Sequence, residues 1–108
     1  MGQFTYIVVF ITTSTVEEAQ RIATVLLERR KAACVNIVPQ VSSQFWWQGK
    51  LEEAKESLLI VKTLASLLPE VIPLVKGAHS YQVPEIIALP ILGGNKDYLK
   101  WIDSEVER

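Results

Sequence analysis

The hydrophobic pattern predicts four strands along the chain. The first is β-branched or aromatic almost throughout, as in a strand that is central in its sheet or covered on both faces. The other three strands are apolar runs, or runs that begin polar and end apolar, and each is flanked by turn residues. The predicted strands cover Phe4–Thr12, Ala33–Val38 with its continuation Val41–Trp47, Lys50–Thr63, and Val83–Ile91.

A first helix is predicted directly after the first strand. Ser14 and Thr15 are followed three residues later by Glu17 and Glu18, a capping-box pattern that starts a helix. The apolar residues that follow recur at i, i+3, i+4, i+7 and i+8, so one face packs on a sheet. They are Ala19, Ile22, Ala23, Leu26 and Leu27.

Two further helices are predicted in the second half of the chain. The first spans residues 66–77, with Ser66 as N-cap and Gly77 as C-terminal stop, and Pro73 predicts a kink or a late start. Asn95 caps the last helix. The apolar face of this helix consists of Tyr98, Leu99, Trp101, Ile102 and Val106.

The order of these elements predicts the fold class. It reads β-α-β-β-α-β followed by α, which matches an α+β, ferredoxin-like antiparallel sheet with helices on one side and an added C-terminal helix. A chain of 108 residues with 49% hydrophobic content has the size of one domain. We therefore expect residues 1–108 to form a single domain.

The second and third strands form a hairpin that is long for so small a domain. Pro39 predicts a bulge, and Gln48-Gly49 supplies a tight turn. Each arm of ~14 residues spans ~45 Å, against a radius of gyration near ~13 Å for the whole domain. Phe45, Trp46 and Trp47 lie near the tip, on alternating faces, and such apolar surface predicts that another subunit covers it. The sequence thus predicts a homo-oligomer.

Composition excludes several classes of partner. The net charge of −1 does not favour nucleic acid, and Arg29-Arg30-Lys31 reads as the basic end of a helix. No run of ~18 apolar residues or leader pattern occurs, so we expect a cytoplasmic protein with no membrane partner. The single cysteine, Cys34, fits a reducing compartment and is predicted to be a buried strand thiol.

The chain offers few residues for chemistry. His79 and Cys34 lie on separate elements, no nucleophile with a positioned base is evident, and we expect no enzyme. His79 is interpreted either as a loop residue that caps a helix or binds water, or as a metal or cleft ligand. One subunit lacks ligands for a structural zinc site, but a symmetry axis would gather copies of His79. The carboxylates that could join it are Glu85, Glu52, Glu53 and Glu56, of which the last three are otherwise a solvated turn.

Several motifs at matching spacing resemble the CutA family of divalent-cation-tolerance proteins. The likeness runs from the first strand to the last helix. The motifs are Ala32-Ala33-Cys34-Val35-Asn36-Ile37-Val38-Pro39, Trp46-Trp47-Gln48-Gly49-Lys50, the segment from His79-Ser80-Tyr81 to Pro90, and Gly94-Asn95 with Tyr98-Leu99-Lys100-Trp101.

This resemblance implies a homotrimer similar to PII-type signalling proteins, in which long hairpins embrace neighbouring subunits. It also implies a role in the response to copper and other divalent metal ions, with no required cofactor. At the positions of the family's proposed copper ligands the chain has Ile11, Ala78 and His79, so only His79 is a metal-ligand candidate. The trimer interface candidates are Phe45, Trp46, Trp47 and Trp101.

Two functions are compatible with these expectations. One is a trimeric metal-response protein that binds copper or other divalent cations weakly. The other is a PII-like signalling or adaptor trimer whose intersubunit clefts bind a small anion or a partner protein. The cleft candidates are Trp47, Lys50, His79, Tyr81 and Glu85.

Overall fold

A computed structural model describes residues 4–108 and shows a four-stranded antiparallel sheet. Residues 1–3, part of the segment in which no leader is predicted, lie outside the described residues. The strands are β1 (Tyr6–Thr13), β2 (Cys34–Trp47), β3 (Lys50–Leu64) and β4 (Ile86–Pro90), in the sheet order β2-β3-β1-β4. The helices are α1 (Val16–Glu28), α2 (Leu68–Ala78) and α3 (Lys96–Glu105). This topology confirms the predicted ferredoxin-like βαββαβ fold with its added helix.

The helices α1 and α2 cover one face of the sheet. Side chains alternate between the faces of a strand, so every second residue of β1 and of the C-terminal half of β3 enters this core. Val9 and Ile11 of β1 lie opposite Val61 and Leu59 of β3, and all four are fully buried. The helices contribute the buried residues Ala19, Ile22, Ala23, Leu26, Val71 and Val75. The predicted α1 stripe is confirmed except for Leu27, which is exposed.

The opposite face of the sheet is covered at one end only. There Ile102 and Val106 pack against Leu64 and Leu67, with Tyr6 at the margin. The rest has no covering element among residues 4–108 and carries one polar pair, Lys62 and Asn36, beside apolar side chains. We call its apolar part the open sheet face. It consists of Val8, Phe10, Leu58, Ile60, Ile87 and Leu89, which the strand register places side by side.

The long hairpin is confirmed. Its turn places Gln48 and Gly49 at φ values of 53° and 81°, the left-handed pair that a two-residue hairpin turn requires. The register shifts between Val38 and Val41, which confirms the bulge predicted at Pro39. With this hairpin the domain measures 43 × 26 × 22 Å.

Several element boundaries differ from the predictions. Ser66 does not cap α2, because it lies in a 3-10 turn and the N-cap is Leu67 with no side-chain hydrogen bond. The helix accommodates Pro73 and continues one residue past Gly77. The strand β4 is shorter than predicted, because Val83–Glu85 belong to the preceding loop.

Cys34 is half-buried, so the prediction of a buried strand thiol is wrong for the isolated chain. It is the first residue of β2, at the margin of the sheet. Neighbouring Tyr98 on α3 has a raised pKa, first because it is partly buried and then because it interacts with the Cys34 thiol.

Candidate functional site

The loop of residues 79–85 brings its first residue, His79, against the end of β1. The Nε2 atom of His79 lies 2.7 Å from the carbonyl oxygen of Thr12, and the Nδ1 atom accepts the backbone N–H of Tyr81 at 3.0 Å. A carbonyl oxygen only accepts hydrogen bonds, so Nε2 carries the proton and the ring is the neutral Nε2–H tautomer. The side chain is fully buried, so His79 holds the loop on the sheet.

Beside His79, the buried carboxylate of Glu18 on α1 accepts hydrogen bonds from two separate chain segments. Its Oε1 atom accepts the N–H and the hydroxyl of Ser14 at 3.1 and 3.0 Å, and its Oε2 atom accepts the N–H of Ser80 at 2.6 Å. Burial raises the pKa of this carboxyl, but the hydrogen bonds from Ser14 and Ser80 outweigh burial and hold the pKa below its usual value. We call Glu18 with these partners the Glu18 cluster.

Glu18 and His79 are close but do not form an ion pair. The Nδ1 atom of His79 lies 3.9 Å from the Oε2 atom of Glu18. In the Nε2–H tautomer, Nδ1 carries no proton to donate, because it accepts a hydrogen bond from the backbone N–H of Tyr81. The carboxylate is therefore stabilised by Ser14 and Ser80, without a contribution from a charged imidazole.

A groove of about 750 Å³ lies between the hairpin and the loop of residues 79–85. Its walls are aromatic and acidic, and no lysine or arginine of residues 4–108 lines it. We call it the hairpin groove. Its aromatic and acidic residues are Phe45, Trp47, Tyr81, Glu52, Glu53, Glu56 and Glu85.

Tyr81 links the loop to the hairpin across this groove. Its hydroxyl donates to the Oε2 atom of Glu56 at 2.8 Å, and its ring lies 4.9 Å from the ring of His79. Burial, together with the hydrogen bond and the charge of Glu56, raises the pKa of Tyr81 to about 12. The Tyr81 hydroxyl therefore remains a donor at alkaline pH values at which an ordinary tyrosine ionises.

Three of the five cleft candidates line the hairpin groove, namely Trp47, Tyr81 and Glu85. Lys50 lies opposite Trp47 at the hairpin tip, outside the lining. His79 lies behind Tyr81 and does not line the groove. The structure therefore separates a residue that positions the loop from residues that a ligand would contact.

Both ring nitrogens of His79, the metal-ligand candidate, take part in hydrogen bonds. Ligation of a metal ion by His79 would therefore require one of those hydrogen bonds to break. Among residues 4–108, no group of three histidine, cysteine or acidic side chains is placed to hold a metal ion. A single carboxylate or a pair binds a divalent cation weakly.

The interface candidates are exposed in the single chain. Trp46 has 73% of its surface exposed, and Phe45, Trp47 and Trp101 have about two fifths. The register confirms that Trp46 and Trp47 point to opposite faces of the hairpin.

Sequence reasoning missed Glu18 as a buried group, although it identified the capping pattern. Thr15 is the N-cap and accepts the N–H of Glu18 at 3.1 Å. A signal for burial was present, because Glu18 lies four positions before Ile22, on the apolar stripe. The pairing of Glu56 with Tyr81 had no such signal, since the two lie on separate elements, 25 residues apart in the chain.

The fold and the groove together define a ferredoxin-like α+β domain in which one sheet face is covered at one end only among residues 4–108. The family model of the CutA1 divalent ion tolerance protein matches residues 7–105. The chain belongs to this family, as its resemblance to CutA predicted. No helix among residues 4–108 is long and apolar enough to cross a membrane.

Curated relatives have similar sequences over most of this chain. The divalent-cation tolerance protein CutA of Archaeoglobus fulgidus is 52% identical over 99 residues, which cover 92% of this chain and 96% of the relative. Protein CutA of Homo sapiens is 43% identical over 98 residues, or 91% of this chain and 55% of the relative. The chain therefore spans about half the length of the human relative.

Solved structures of relatives have the same fold. The divalent cation tolerance protein of Thermus thermophilus superimposes with a TM-score of 0.92 at 47% identity, over 94% of this chain and 99% of the other. CutA1 from Oryza sativa gives a TM-score of 0.93 at 45% identity, over 96% of this chain and 95% of the other.

The names of these relatives mention different compartments. A rice relative, 49% identical over 89% of this chain and 54% of its own length, is named chloroplastic. The solved structure of the Archaeoglobus fulgidus protein is described as periplasmic. Family membership therefore does not determine the compartment of this chain.

Proposed function

We propose that this chain functions in divalent-cation tolerance as a homotrimeric, non-enzymatic binding protein with a PII-like arrangement of subunits. The observation that carries the trimer is the open sheet face. Ile87 and Leu89 on this face are 51% and 44% exposed, beside the half-buried Phe10 and Ile60. Contiguous apolar surface of this kind is characteristic of subunit interfaces.

The exposed hairpin tip supports the same proposal. Trp46 and Trp47 face opposite sides of the ribbon, so a hairpin reaching between two neighbours buries both rings. Tryptophan is enriched in the energetically dominant contacts of interfaces. Trp101 on α3 extends the apolar surface of the domain and is a further contact in this proposal.

Direct binding of copper or another divalent cation is proposed to be weak, with no cofactor required. His79 donates and accepts hydrogen bonds that a metal would have to displace. Carboxylates of the hairpin, such as Glu52 and Glu53, remain as oxygen ligands of low affinity. The response to metal ions then depends on another ligand or on a partner protein.

A second function, a signalling or adaptor trimer, is favoured by the hairpin groove. The groove has aromatic walls and is bordered by the loop that His79 anchors, so it combines apolar contacts with fixed polar groups. Its four carboxylates favour a cationic ligand over the small anion predicted from the sequence. The compartment that we propose is the cytoplasm, which suits the unpaired thiol of Cys34.

Native mass spectrometry of protein purified without chelator tests the trimer and the metal together. We expect a trimer without stoichiometric metal, and a dissociation that depends on protein concentration. Leu89→Asp places a charge on the open sheet face and should abolish the trimer. Leu92→Asp is the matched control, because Leu92 is 91% exposed in the loop after β4. A wild-type monomer, or a trimer that tolerates Leu89→Asp, would contradict the proposal.

Titration of copper and zinc tests the metal site separately. Wild type and His79→Ala should bind metal with the same low affinity. Stoichiometric, tight binding that His79→Ala removes would show that the histidine exchanges its hydrogen bonds for a metal ion, and would contradict the weak-binding proposal.

A further inference from the structure

Lys62 of β3 is a charged residue that the strand register places beside the open sheet face. It is half-buried and lies opposite Val8 of β1 and Cys34 of β2. Its ammonium donates a hydrogen bond to the side-chain oxygen of Asn36. No ion pair among residues 4–108 includes Lys62. The positive charge therefore has one neutral acceptor among these residues.

Glu56 is the complementary case on the same strand. The residue is only 8% exposed, and its Oε2 atom accepts the Tyr81 hydroxyl at 2.8 Å. Its other oxygen, Oε1, accepts no hydrogen bond from residues 4–108 and is not fully buried. No ion pair among these residues includes Glu56. The negative charge therefore has one neutral donor.

The two charges share one face of β3 but are too far apart to meet within one subunit. Side chains alternate along a strand, so Glu56 and Lys62, six residues apart, point to the same side of the sheet. At ~3.3 Å per residue they are separated by ~20 Å, which is longer than the two side chains together. An ion pair between them therefore requires a second copy of the chain.

The interface that we propose for the trimer would cover both charges. Leu58 and Ile60 of the open sheet face lie between Glu56 and Lys62 on β3. A neighbour that packs on these two residues also removes water from the charges on either side. Removing water from a charge is strongly unfavourable unless a group of opposite charge meets it. The interface therefore has to supply a carboxylate to Lys62 and a cation to Glu56.

We propose that Lys62 of each subunit forms an ion pair with Glu56 of a neighbouring subunit, with the Oε1 atom as acceptor. This inference rests on the proposed trimer and names the charged contact that holds it together. The contact joins two different surfaces, the body of one sheet and the base of the next hairpin, so a threefold rotation closes it into a ring of three equal pairs. The cation of the hairpin groove, which no lysine or arginine of residues 4–108 lines, then comes from the partner.

Burial selects this pair among the charged residues of the hairpin. The other carboxylates that line the groove, namely Glu52, Glu53 and Glu85, are exposed and keep their water. Of the two lysines of the hairpin, Lys50 is exposed at the tip, and Lys55 points to the other face and donates to Ser42. An exposed charge contributes little to an interface compared with one that loses its water.

A double-mutant cycle measured by analytical ultracentrifugation tests the inference. The variants are Lys62→Met, Glu56→Gln and the two combined, and Glu56→Gln keeps an acceptor for the Tyr81 hydroxyl. Each single substitution leaves the opposite charge unpaired in the interface, so the protein concentration at which the trimer dissociates should rise about a hundredfold. The combined variant should dissociate at about the same concentration as either single variant, because its second substitution removes a charge that is already unpaired.

The matched controls are Lys76→Met on α2 and Glu28→Gln on α1. Both residues are exposed on the helices, which cover the other side of the sheet, and both variants should dissociate as wild type does. Additive effects of Lys62→Met and Glu56→Gln, or single effects as small as those of the controls, would overturn the ion pair. Coupling of Lys62→Met to Glu52→Gln in place of Glu56→Gln would overturn the choice of carboxylate.

Two further readouts separate this inference from the trimer proposal. A wild-type trimer in which Lys62 and Glu56 are uncoupled overturns the ion pair alone, whereas a wild-type monomer contradicts the trimer and the inference with it. Circular dichroism of the dissociated variants should show a folded subunit. A variant that unfolds without first dissociating would show that the charge serves its own subunit, and this result also overturns the inference.

Discussion

Two buried glutamates of this chain differ in how completely their oxygens are paired. Glu18 is 3% exposed, and backbone and hydroxyl donors from Ser14 and Ser80 occupy both of its oxygens. Glu56 is 8% exposed and receives one donor from residues 4–108, the Tyr81 hydroxyl. The two carboxylates are thus buried to a similar extent but differ in how many of their oxygens accept hydrogen bonds from the protein.

The difference indicates different roles. The donors of Glu18 come from the start of α1 and the loop after α2, so its carboxylate joins two segments that are distant in sequence. Such a fully paired group stabilises the fold and has no oxygen left for a ligand. Glu56 retains an oxygen at the groove, and this capacity is what a binding site needs.

The largest effect is expected from Glu18→Ala. The substitution leaves the N–H of Ser80 and the N–H of Ser14 without their acceptor, and we expect a loss of about 3 kcal/mol in the free energy of unfolding. Urea denaturation at a fixed protein concentration measures it. The exposed Glu17→Ala is the control and should change stability by less than about 0.5 kcal/mol. A loss for Glu18→Ala as small as that of the control would remove the structural role of Glu18.

The dependence of stability on pH should sharpen the comparison. The folded-state pKa of Glu18 is lowered from 4.5, so its contribution is present above pH 4.5 and is lost as the pH falls through the folded pKa. The difference in stability between wild type and Glu18→Ala should therefore shrink on acidification. Denaturation curves from neutral to acidic pH measure this difference, and a gap that widens on acidification would contradict the assigned direction.

The sequence predicted the fold well because its signals are local. The bulge at Pro39 follows from a missing amide hydrogen, and the turn at Gln48-Gly49 follows from backbone preference. Ser66 misled the prediction of α2, because a residue with cap propensity entered a 3-10 turn instead. Local preference does not reveal which of two possible starts tertiary packing selects.

The site was predicted only in part because its contacts connect distant segments. The motif around His79 identified the loop, but the hydrogen bonds of its ring to Thr12 and Tyr81 depend on how α2 ends against β1. The sequence left His79 open as a loop residue or as a ligand, and these bonds favour a residue that positions Tyr81. No pattern in a single sequence shows that Glu56 faces Tyr81, since strand register and loop path determine that contact jointly.

The smallest effect is expected from Tyr81→Phe, which removes the Tyr81 hydroxyl as a donor to Glu56. Because Glu56 already reaches solvent, water can replace the hydroxyl, and the loss should be about 0.5–1 kcal/mol, well below that of Glu18→Ala. The contribution of the Tyr81 hydroxyl to stability depends on pH in the opposite direction to that of Glu18. The folded-state pKa of Tyr81 is raised from 10.0 to about 12, so its contribution is complete below pH 10.0 and is lost as the pH rises through about 12.

Denaturation curves of Tyr81→Phe at neutral and alkaline pH check both statements. Tyr6→Phe is the matched control, since the Tyr6 hydroxyl makes no hydrogen bond to a side chain or backbone atom of residues 4–108. A Tyr81→Phe loss equal to that of Glu18→Ala would mean that Glu56 depends on its protein donor as fully as Glu18 does. The groove would then contain a structural carboxylate and no free one, and the distinction between the two glutamates would fail at the point where ligand binding is proposed.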